Sequence, residues 1–427
     1  MLHSLRVANF LSIRDEHEFS FVASRPSPQA GSGWDAGVGT AAGIFGANAS
    51  GKTSVLRALD FMRHAVTSPH ASRPGQGPVP VTPFALDPAY PGRPTLLEAV
   101  FDLDGIRYQY GFKTTREQVA AEWLYAYQTR RRQVWFERDA AAASPWHFGK
   151  SFPGRNQAIA AMTGPAALFL PAAAAGNHQL AGQAACFFTR RLATTWPSDR
   201  DDPGILARFL APDTVLRDGI LALTRFADLG ISDVRVRRSP EAVVECGHPA
   251  GPGRALSYLP FEAESPGTRA WLTLAGPAAQ ALSRGGVLAV DELGKSLHPA
   301  LTAGLISLFK DPGRNPRQAQ LLFTSHDTTL LGTRDGTPAL DRGEVWLTEK
   351  DRDGATALYP VTDFSPRKSE NLQLGYLQGR YGAVPALGRS LLPGPGGRPD
   401  PQRRHRTARH PAEDPAARRG RGTASRP

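Results

Sequence analysis

Eight consecutive residues near the amino terminus combine glycine, lysine and hydroxyl groups in a spacing suited to binding phosphates. They are Gly46, Ala47, Asn48, Ala49, Ser50, Gly51, Lys52 and Thr53. In this G-x-x-x-x-G-K-T pattern the glycines let the backbone approach phosphate oxygens, Lys52 reaches the terminal phosphates, and the Thr53 hydroxyl binds Mg²⁺. The pattern predicts a site for a nucleoside triphosphate, most simply ATP, with Mg²⁺. It leaves the choice between ATP and GTP open.

The residues on either side of this loop predict the elements that must position it. Residues 41–45 are almost entirely apolar and predict a short buried strand, whereas the residues from Lys52 onward have a helical pattern. A strand, a glycine loop and a helix in this order bring backbone N–H groups and a helix amino terminus together at one point, where they bind phosphate oxygens.

A pair of carboxylates predicts the other half of the site. Asp291 and Glu292 follow the apolar run 287–290, which predicts a buried parallel strand with both carboxylates at its carboxyl end. There Asp291 can hold Mg²⁺, and Glu292 can orient or deprotonate an attacking water. On its own, an apolar strand that ends in Asp-Glu is common, and a surface turn would be the better interpretation of the pair. The phosphate loop in the same chain favours the catalytic interpretation.

Two further features lie on either side of this pair. His326 directly follows the strand-like run 319–325. A lone histidine at the end of a strand is usually structural, but this strand would lie beside the Asp-Glu strand, which favours a sensor role near the terminal phosphate. Ser265 and Gly267 precede a predicted helix over residues 270–283. Ser265 is then a helix N-cap, and its position, a short helix ahead of the Asp-Glu strand, suggests a further role.

Composition limits the other classes of function. The chain has 427 residues and a net charge of +11, but residues 388–427 carry ten arginines against three carboxylates, so net charge alone does not indicate nucleic-acid binding. We find no secretory segment and no apolar run near ~20 residues, so we expect a protein that neither is exported nor spans a membrane. Cys186 and Cys246 are isolated, which fits a reducing cytoplasm.

The remaining pattern predicts three regions around the site. Residues 4–10 and 16–22 predict two strands, and residues 97–103 and 106–112 a hairpin that turns at Asp104-Gly105. Strands at 123–127 and 133–137 would extend this antiparallel sheet beside the nucleotide site. Residues 140–234 look helical. The clearest helices there are predicted at 179–194 and 203–226, with strands following at 234–237 and 242–245.

The order of these motifs resembles the ABC-type ATPases of the SMC and RecF kind. It is most similar to the bacterial "AAA family ATPases" related to the overcoming-lysogenization-defect and abortive-infection ATPases. Besides the loop and Asp291-Glu292-Leu293, the resemblance rests on several short motifs. These are Asn9-Phe10, 12–15 (Ser-Ile-Arg-Asp), 83–87 (Pro-Phe-Ala-Leu-Asp), 122–125 (Glu-Trp-Leu-Tyr), 296–299 (Ser-Leu-His-Pro), 324–327 (Thr-Ser-His-Asp) and 376–382 (Tyr-Leu-Gln-Gly-Arg-Tyr-Gly).

This resemblance implies an α/β fold, a P-loop NTPase with an ABC-type head. Its mixed central sheet is flanked by helices and carries an antiparallel β lobe and a helical insertion. The ATPase domain would span 1–387, divided into 1–139, the insertion 140–255 and the lobe 256–387; residues 388–427 would form a disordered basic tail. Two protomers would enclose two ATP molecules, with Ser265 and Gly267 of one facing Lys52 and Thr53 of the other.

Two departures from the family pattern qualify these expectations. Gly294-Lys295 stands where members often have an aspartate, and the glutamine that usually bridges Mg²⁺ and water is not identifiable; residues 84–87 occupy roughly its place. We expect an ATPase of a phage-defence or DNA-maintenance system, with a nuclease or toxin acting in trans and DNA as a further candidate partner. The alternatives are a nucleotide-gated scaffold with little turnover and, less favoured, a transporter ATPase subunit.

Overall fold

The computed structural model describes residues 1–22, 37–67, 80–210, 214–239, 241–251, 254–334, 337–367 and 370–385. Its strands, in chain order, are β1 (Leu2–Ala8), β2 (His17–Ser20), β3 (Ala41–Gly46), β4 (Thr95–Leu103), β5 (Ile106–Thr114), β6 (Val119–Tyr127), β7 (Gln133–Asp139), β8 (Trp146–Phe148), β9 (Leu192–Thr195), β10 (Asp233–Ser239), β11 (Glu241–Pro249), β12 (Leu256–Pro260), β13 (Val287–Val290), β14 (Gln320–Ser325), β15 (Thr333–Arg334), β16 (Thr337–Pro338), β17 (Val345–Lys350) and β18 (Thr356–Pro360). The α-helices are α1 (Lys52–Thr67), α2 (Asn156–Met162), α3 (Phe169–Ala175), α4 (Gln179–Cys186), α5 (Pro203–Leu210), α6 (Thr214–Phe226), α7 (Pro266–Arg284), α8 (Pro299–Lys310) and α9 (Leu372–Leu377).

A six-stranded mixed sheet positions the predicted site. Its strand order is β18-β17-β3-β14-β13-β9, and every neighbouring pair is parallel except β17 and β18. The loop strand β3 and the carboxylate strand β13 are separated by β14 alone. Because the carboxyl ends of parallel strands lie at one edge of a sheet, the phosphate loop, Asp291-Glu292 and His326 are brought to the same edge.

Apolar side chains cover both faces of this sheet. Along β3, Ala42 and Ile44 belong to the core that contains α1, whereas Ala41 and Phe45 belong to the core that contains α7 and α8. The alternation follows from the two-residue period of a strand. Helix α7 ends at Gly285, which has a left-handed backbone, and β13 begins two residues later. The chain therefore reverses, and the amino end of α7 lies toward the edge that carries the site.

A seven-stranded antiparallel sheet lies on the α1 side, with strand order β2-β1-β4-β5-β6-β7-β8. The buried carboxylate of Glu122, on β6, joins it to the helical region. This carboxylate accepts hydrogen bonds from the backbone N–H groups of Phe169 (2.6 Å) and Leu170 (3.0 Å) at the start of α3. It therefore caps α3, because the first N–H groups of a helix have no partner within the helix.

The strands predicted around the site are confirmed, including the 97–103/106–112 hairpin and the two strands after residue 233. The helix predicted over 179–194 is wrong in its last part. Helix α4 ends at Cys186, a π-helical turn covers Phe187–Arg191, and residues 192–195 form β9. Pairing of β9 with β13 in the central sheet outweighs the local helical pattern there.

The second predicted helix, 203–226, corresponds to α5 and α6, and residues 211–213 between them lie outside the described residues. The tail predicted over 388–427 also lies outside them. Residues Met1–Val384 form one compact unit, while the finer domain boundaries stay predictions. Both cysteines are free thiols, and no helix in the described ranges has the length and apolar character needed to cross a membrane.

Candidate nucleotide-binding and catalytic site

The side chain of Lys52 lies over the phosphate loop. Its Nζ donates to the carbonyl oxygens of Gly46 and Ala47, both at 2.9 Å, and the residue is only 5% exposed. Burial lowers the pKa of Lys52 to about 8, although the nearby carboxylates of Asp291 and Glu292 favour its charged form. An ammonium group held this way at a helix amino terminus is placed to bind phosphate.

The glycines of the loop allow its backbone to pack closely against other parts of the chain. Gly51 has φ +105°, a conformation that L residues rarely adopt. A Cβ atom at Gly51 would collide with the hydroxyls of Thr356 and Ser12, and one at Gly46 with the backbone and hydroxyl of Thr348. Both glycines are therefore needed for the packing of the loop, and the approach of its backbone to phosphate oxygens stays a prediction from the sequence pattern.

Hydroxyl groups from distant parts of the chain hold the loop. Ser50 bonds the Thr348 hydroxyl at 2.7 Å, and Thr356 Oγ1 donates to the Ser50 carbonyl at 2.9 Å. Ser12 Oγ lies 2.8 Å from both Thr356 Oγ1 and Ser54 Oγ. Of these, the sequence analysis singled out Ser50 as a loop residue and noted Ser12 only within a family motif. Thr348 and Thr356 are single threonines on strands, and nothing in the sequence around them indicates a contact with the phosphate loop.

Asp291 and Thr53 form the candidate metal site. Thr53 Oγ1 lies 3.1 and 3.2 Å from the two carboxylate oxygens of Asp291, which is 5% exposed. Thr324 Oγ1 also donates to Asp291 Oδ1 at 2.7 Å and fixes its orientation. The described residues contain no cluster of three or more His, Cys, Asp or Glu suited to a metal. One carboxylate and one hydroxyl nevertheless fit Mg²⁺, which takes its other ligands from phosphates and water.

Glu292 lies beside this pair in a turn with a strained backbone. Its φ is +54°, which is unusual for a residue other than glycine, and its N–H donates to Thr324 Oγ1 at 2.7 Å. Its Oε2 accepts from Lys295 Nζ at 2.8 Å. The hydrogen bond from Lys295 holds the pKa of Glu292 below its usual value, against the effect of partial burial. Glu292 is therefore an ionised carboxylate next to the loop, restrained by a lysine three residues on.

His326 follows β14 and faces the same carboxylate. Its Nε2 is 4.0 Å from Glu292 Oε1, and 43% of its side chain is exposed. Burial and then the charge of Lys52 lower the pKa of His326 below its usual value, so the neutral form is favoured at neutral pH. The charge of Lys52 therefore acts on this ring, and the sensor role of His326 stays a prediction.

Arg200 is a residue of the site that the sequence analysis missed. It lies in the 3₁₀ turn Pro197–Asp201 after β9. Its guanidinium donates to the carbonyl oxygens of Asp291 (3.0 Å), Glu292 (2.6 Å) and Lys295 (3.0 Å). No motif marks it, because its position depends on β9, whose first residues have the pattern of a helix.

Ser265 and Gly267 are found where the helix prediction placed them, at the start of α7. Ser265 is the N-cap: its Oγ accepts from the Thr268 N–H at 3.1 Å. A Cβ atom on Gly267 would lie 2.8 Å from the Ser296 carbonyl, so this helix end abuts the turn after Glu292. Within the described residues no hydrogen bond joins Ser265 or Gly267 to the phosphate loop of the same chain.

The segment 83–87, which takes the place of the missing glutamine, is fixed by Asn9. Asn9 Oδ1 accepts from the Phe84 N–H at 3.0 Å, and Asn9 Nδ2 donates to the Arg93 carbonyl at 2.8 Å. Phe84 is buried, whereas Leu86 is 68% exposed. The geometry thus explains the Asn9 motif as an anchor for this segment and assigns no metal ligand within it.

This combination of mixed sheet, phosphate loop and carboxylate strand defines a P-loop NTPase with an ABC-type head. Comparison of the sequence with models of protein families finds one similar family. Residues 41–154 and 254–332 match the family described as "AAA domain, putative AbiEii toxin, Type IV TA system". Over these residues the chain is similar to an AAA-type ATPase domain.

Comparison with curated proteins and with solved structures gives no stronger relationship. No curated protein matches the chain. Solved structures that resemble it include the "SMC head domain from Thermotoga maritima", with 14% identity, a TM-score of 0.39, and coverage of 84% of this chain and 98% of that one. An SMC head bound to the C-terminal winged-helix domain of ScpA has 13% identity, a TM-score of 0.43, and coverage of 84% and 96%. An SMC head with an extended coiled coil, bound to the C-terminal domain of ScpA and derived from Pyrococcus furiosus, has 13% identity and a TM-score of 0.43. The match covers 84% of this chain and 95% of that one. We infer nothing further from similarities this low.

Proposed function

We propose that this protein hydrolyses ATP and that two copies associate around the nucleotide. The observation that carries the proposal is the contact between Thr53 and Asp291, with Lys52 and Glu292 on either side of it at one sheet edge. Lys52 binds the terminal phosphates, Thr53 and Asp291 hold Mg²⁺, and Glu292 takes the proton of the attacking water. Bound Mg²⁺ would neutralise charge on the phosphates.

The proposed dimer rests on the start of α7. Ser265 and Gly267 lie at the amino terminus of α7, where a serine hydroxyl and the first backbone N–H groups of the helix can bind an anion. Since they make no hydrogen bond to the loop of their own chain, we assign them to the terminal phosphate bound by a second copy. Helix α7 has 19 residues, so its aligned peptide dipoles favour a phosphate at this end.

We place this activity in a phage-defence or DNA-maintenance system whose nuclease or toxin is a separate chain. The support is the family description, which names a putative AbiEii toxin and a Type IV toxin–antitoxin system. A nucleotide-gated scaffold with little turnover is the second candidate. The Lys295–Glu292 ion pair favours it, because a carboxylate engaged by lysine is a weaker base.

The association is tested by light scattering of a Glu292→Gln variant with and without Mg²⁺-ATP. Blocking hydrolysis should convert monomers into dimers, and adding Ser265→Arg should prevent the change because a bulky side chain would fill the phosphate position. Gln128→Arg, on an exposed loop, adds the same charge as a control. An oligomeric state that does not change when ATP is added would contradict the proposed ATP-dependent dimer. ATP turnover by the wild-type protein near background would favour the nucleotide-gated scaffold.

A further inference from the structure

The turn that carries Glu292 is held from two sides. On one side, Thr324 of β14 accepts the Glu292 N–H at 2.7 Å, and its carbonyl accepts the Leu293 N–H at 2.8 Å. On the other side, the Arg200 guanidinium donates to three carbonyl oxygens, those of residues 291, 292 and 295. The rigid, planar guanidinium can reach several acceptors at once, which a lysine ammonium on a flexible stem does less well.

This second restraint matters because the turn is strained. Glu292 has φ +54°, and a residue other than glycine keeps such a conformation only where its surroundings impose it. The direction of the Glu292 side chain follows from this backbone. Loss of the Arg200 contacts would therefore make the orientation of the Glu292 carboxylate less fixed, even though Arg200 donates no hydrogen bond to the carboxylate itself.

Arg200 is in turn held by α7, the helix that Ser265 caps. Thr273 Oγ1, on α7, donates to the Arg200 carbonyl at 3.1 Å. Arg269, one turn from the start of the same helix, pairs with Asp201 through Nε and Oδ1 at 2.8 Å. The 3₁₀ turn 197–201 thus contacts α7 on one side and the catalytic turn on the other.

We propose that Arg200 is a positioning residue that couples the start of α7 to the orientation of Glu292. Burial lowers the pKa of Arg200 from its usual value, while Glu292, Asp291 and Asp199 favour its charge, so it stays a cation beside the site. When a phosphate binds at Ser265, a shift of α7 moves the turn 197–201 and thereby the carbonyl oxygens that fix Glu292. This inference deepens the proposed function and rests on it for the role of Ser265 and Glu292.

The kinetic test compares Arg200→Met, Arg200→Lys and Thr273→Val with wild type. Thr273→Val removes only the hydroxyl that holds the Arg200 carbonyl, so it disturbs the fold least. Displacement of a catalytic group by about 1 Å can cost on the order of 100-fold in rate, so we expect Arg200→Met to lower kcat by about 10- to 100-fold with ATP affinity within about threefold. Arg200→Lys should fall in between. Arg208→Met, an exposed arginine on α5, should match wild type.

A second measurement does not depend on turnover. In nucleotide-free protein, hydrogen–deuterium exchange of the peptide covering residues 291–297 should be about tenfold faster in Arg200→Met, with the β3 peptide unchanged. Unchanged exchange and unchanged kcat in Arg200→Met would overturn the proposal, as would equal loss of ATP affinity and kcat. If wild type shows no turnover, the proposed function fails, and exchange in Arg200→Met and Thr273→Val still decides whether Arg200 holds the turn.

Discussion

Replacing Lys52 by methionine should weaken ATP binding by about 10- to 100-fold. Methionine fills the same buried space but loses the ammonium that lies 2.9 Å from the loop carbonyl oxygens of Gly46 and Ala47. Hydrogen bonds that involve a charged group contribute about 1.5–3 kcal/mol, which corresponds to this loss. Isothermal titration with Mg²⁺-ATP measures it, and phosphate release should fall further because the same ammonium would stabilise the transition state.

The matched control is Lys113→Met, which removes an exposed lysine from β5. ATP affinity and thermal stability should be unchanged in this variant. If Lys52→Met bound ATP as tightly as wild type, the loop would not be the nucleotide site. If both variants lost binding equally, the effect would be one of net charge.

The same ammonium should make ATP binding depend on pH. Burial lowers the pKa of Lys52 to about 8 in the free protein. The protonated form binds phosphate, so affinity should be constant below pH 7 and fall as the pH rises through 8 toward 9. Bound phosphate favours the protonated form, so binding near pH 8.5 should take up a proton. Titrations in buffers of different ionisation enthalpy detect this uptake, which Lys52→Met should lack.

The fold around the loop could be predicted because its signals are local. Residues 41–45 are apolar and lead directly into glycine, and the helix after Lys52 carries a regular apolar face, so β3 and α1 need no knowledge of distant residues. The same holds for β13, whose four apolar residues end at Asp291. The proximity of the two motifs then follows from the shared edge of a parallel sheet.

The parts that could not be predicted depend on contacts distant in sequence. Strand β9 has only four residues and pairs with β13, about 95 positions along the chain, so its own residues give little sign of a strand. Arg200 reaches the site through that strand. Thr348 likewise meets Ser50 only because β17 lies beside β3. Single polar residues of this kind become recognisable once the sheet order is known.

Replacing Glu292 by glutamine should lower ATP turnover by about 100- to 10,000-fold, the range that a general base contributes. Glutamine keeps the shape of the side chain but cannot accept the proton of the attacking water, so ATP affinity should stay within about threefold of wild type. Phosphate release under single-turnover conditions measures the step directly. Glu117→Gln, on an exposed turn of the antiparallel sheet, is the control. A Glu292→Gln variant as fast as wild type would exclude Glu292 as the base.

The variant Lys295→Met tests whether the ion pair with Lys295 weakens Glu292 as a base. Lys295 Nζ is 2.8 Å from Glu292 Oε2, and 60% of the Lys295 side chain is exposed, so the pair contributes at most about 1 kcal/mol. Removing the lysine should raise the pKa of Glu292 toward its usual value and strengthen it as a base, increasing turnover by a small factor, about two- to fivefold. In the Glu292→Gln background the same substitution should change nothing, since the base is already absent. A fall in turnover in Lys295→Met toward the Glu292→Gln level would instead mean that Lys295 assists the reaction, and that the Glu292 contact occupies it only until nucleotide binds.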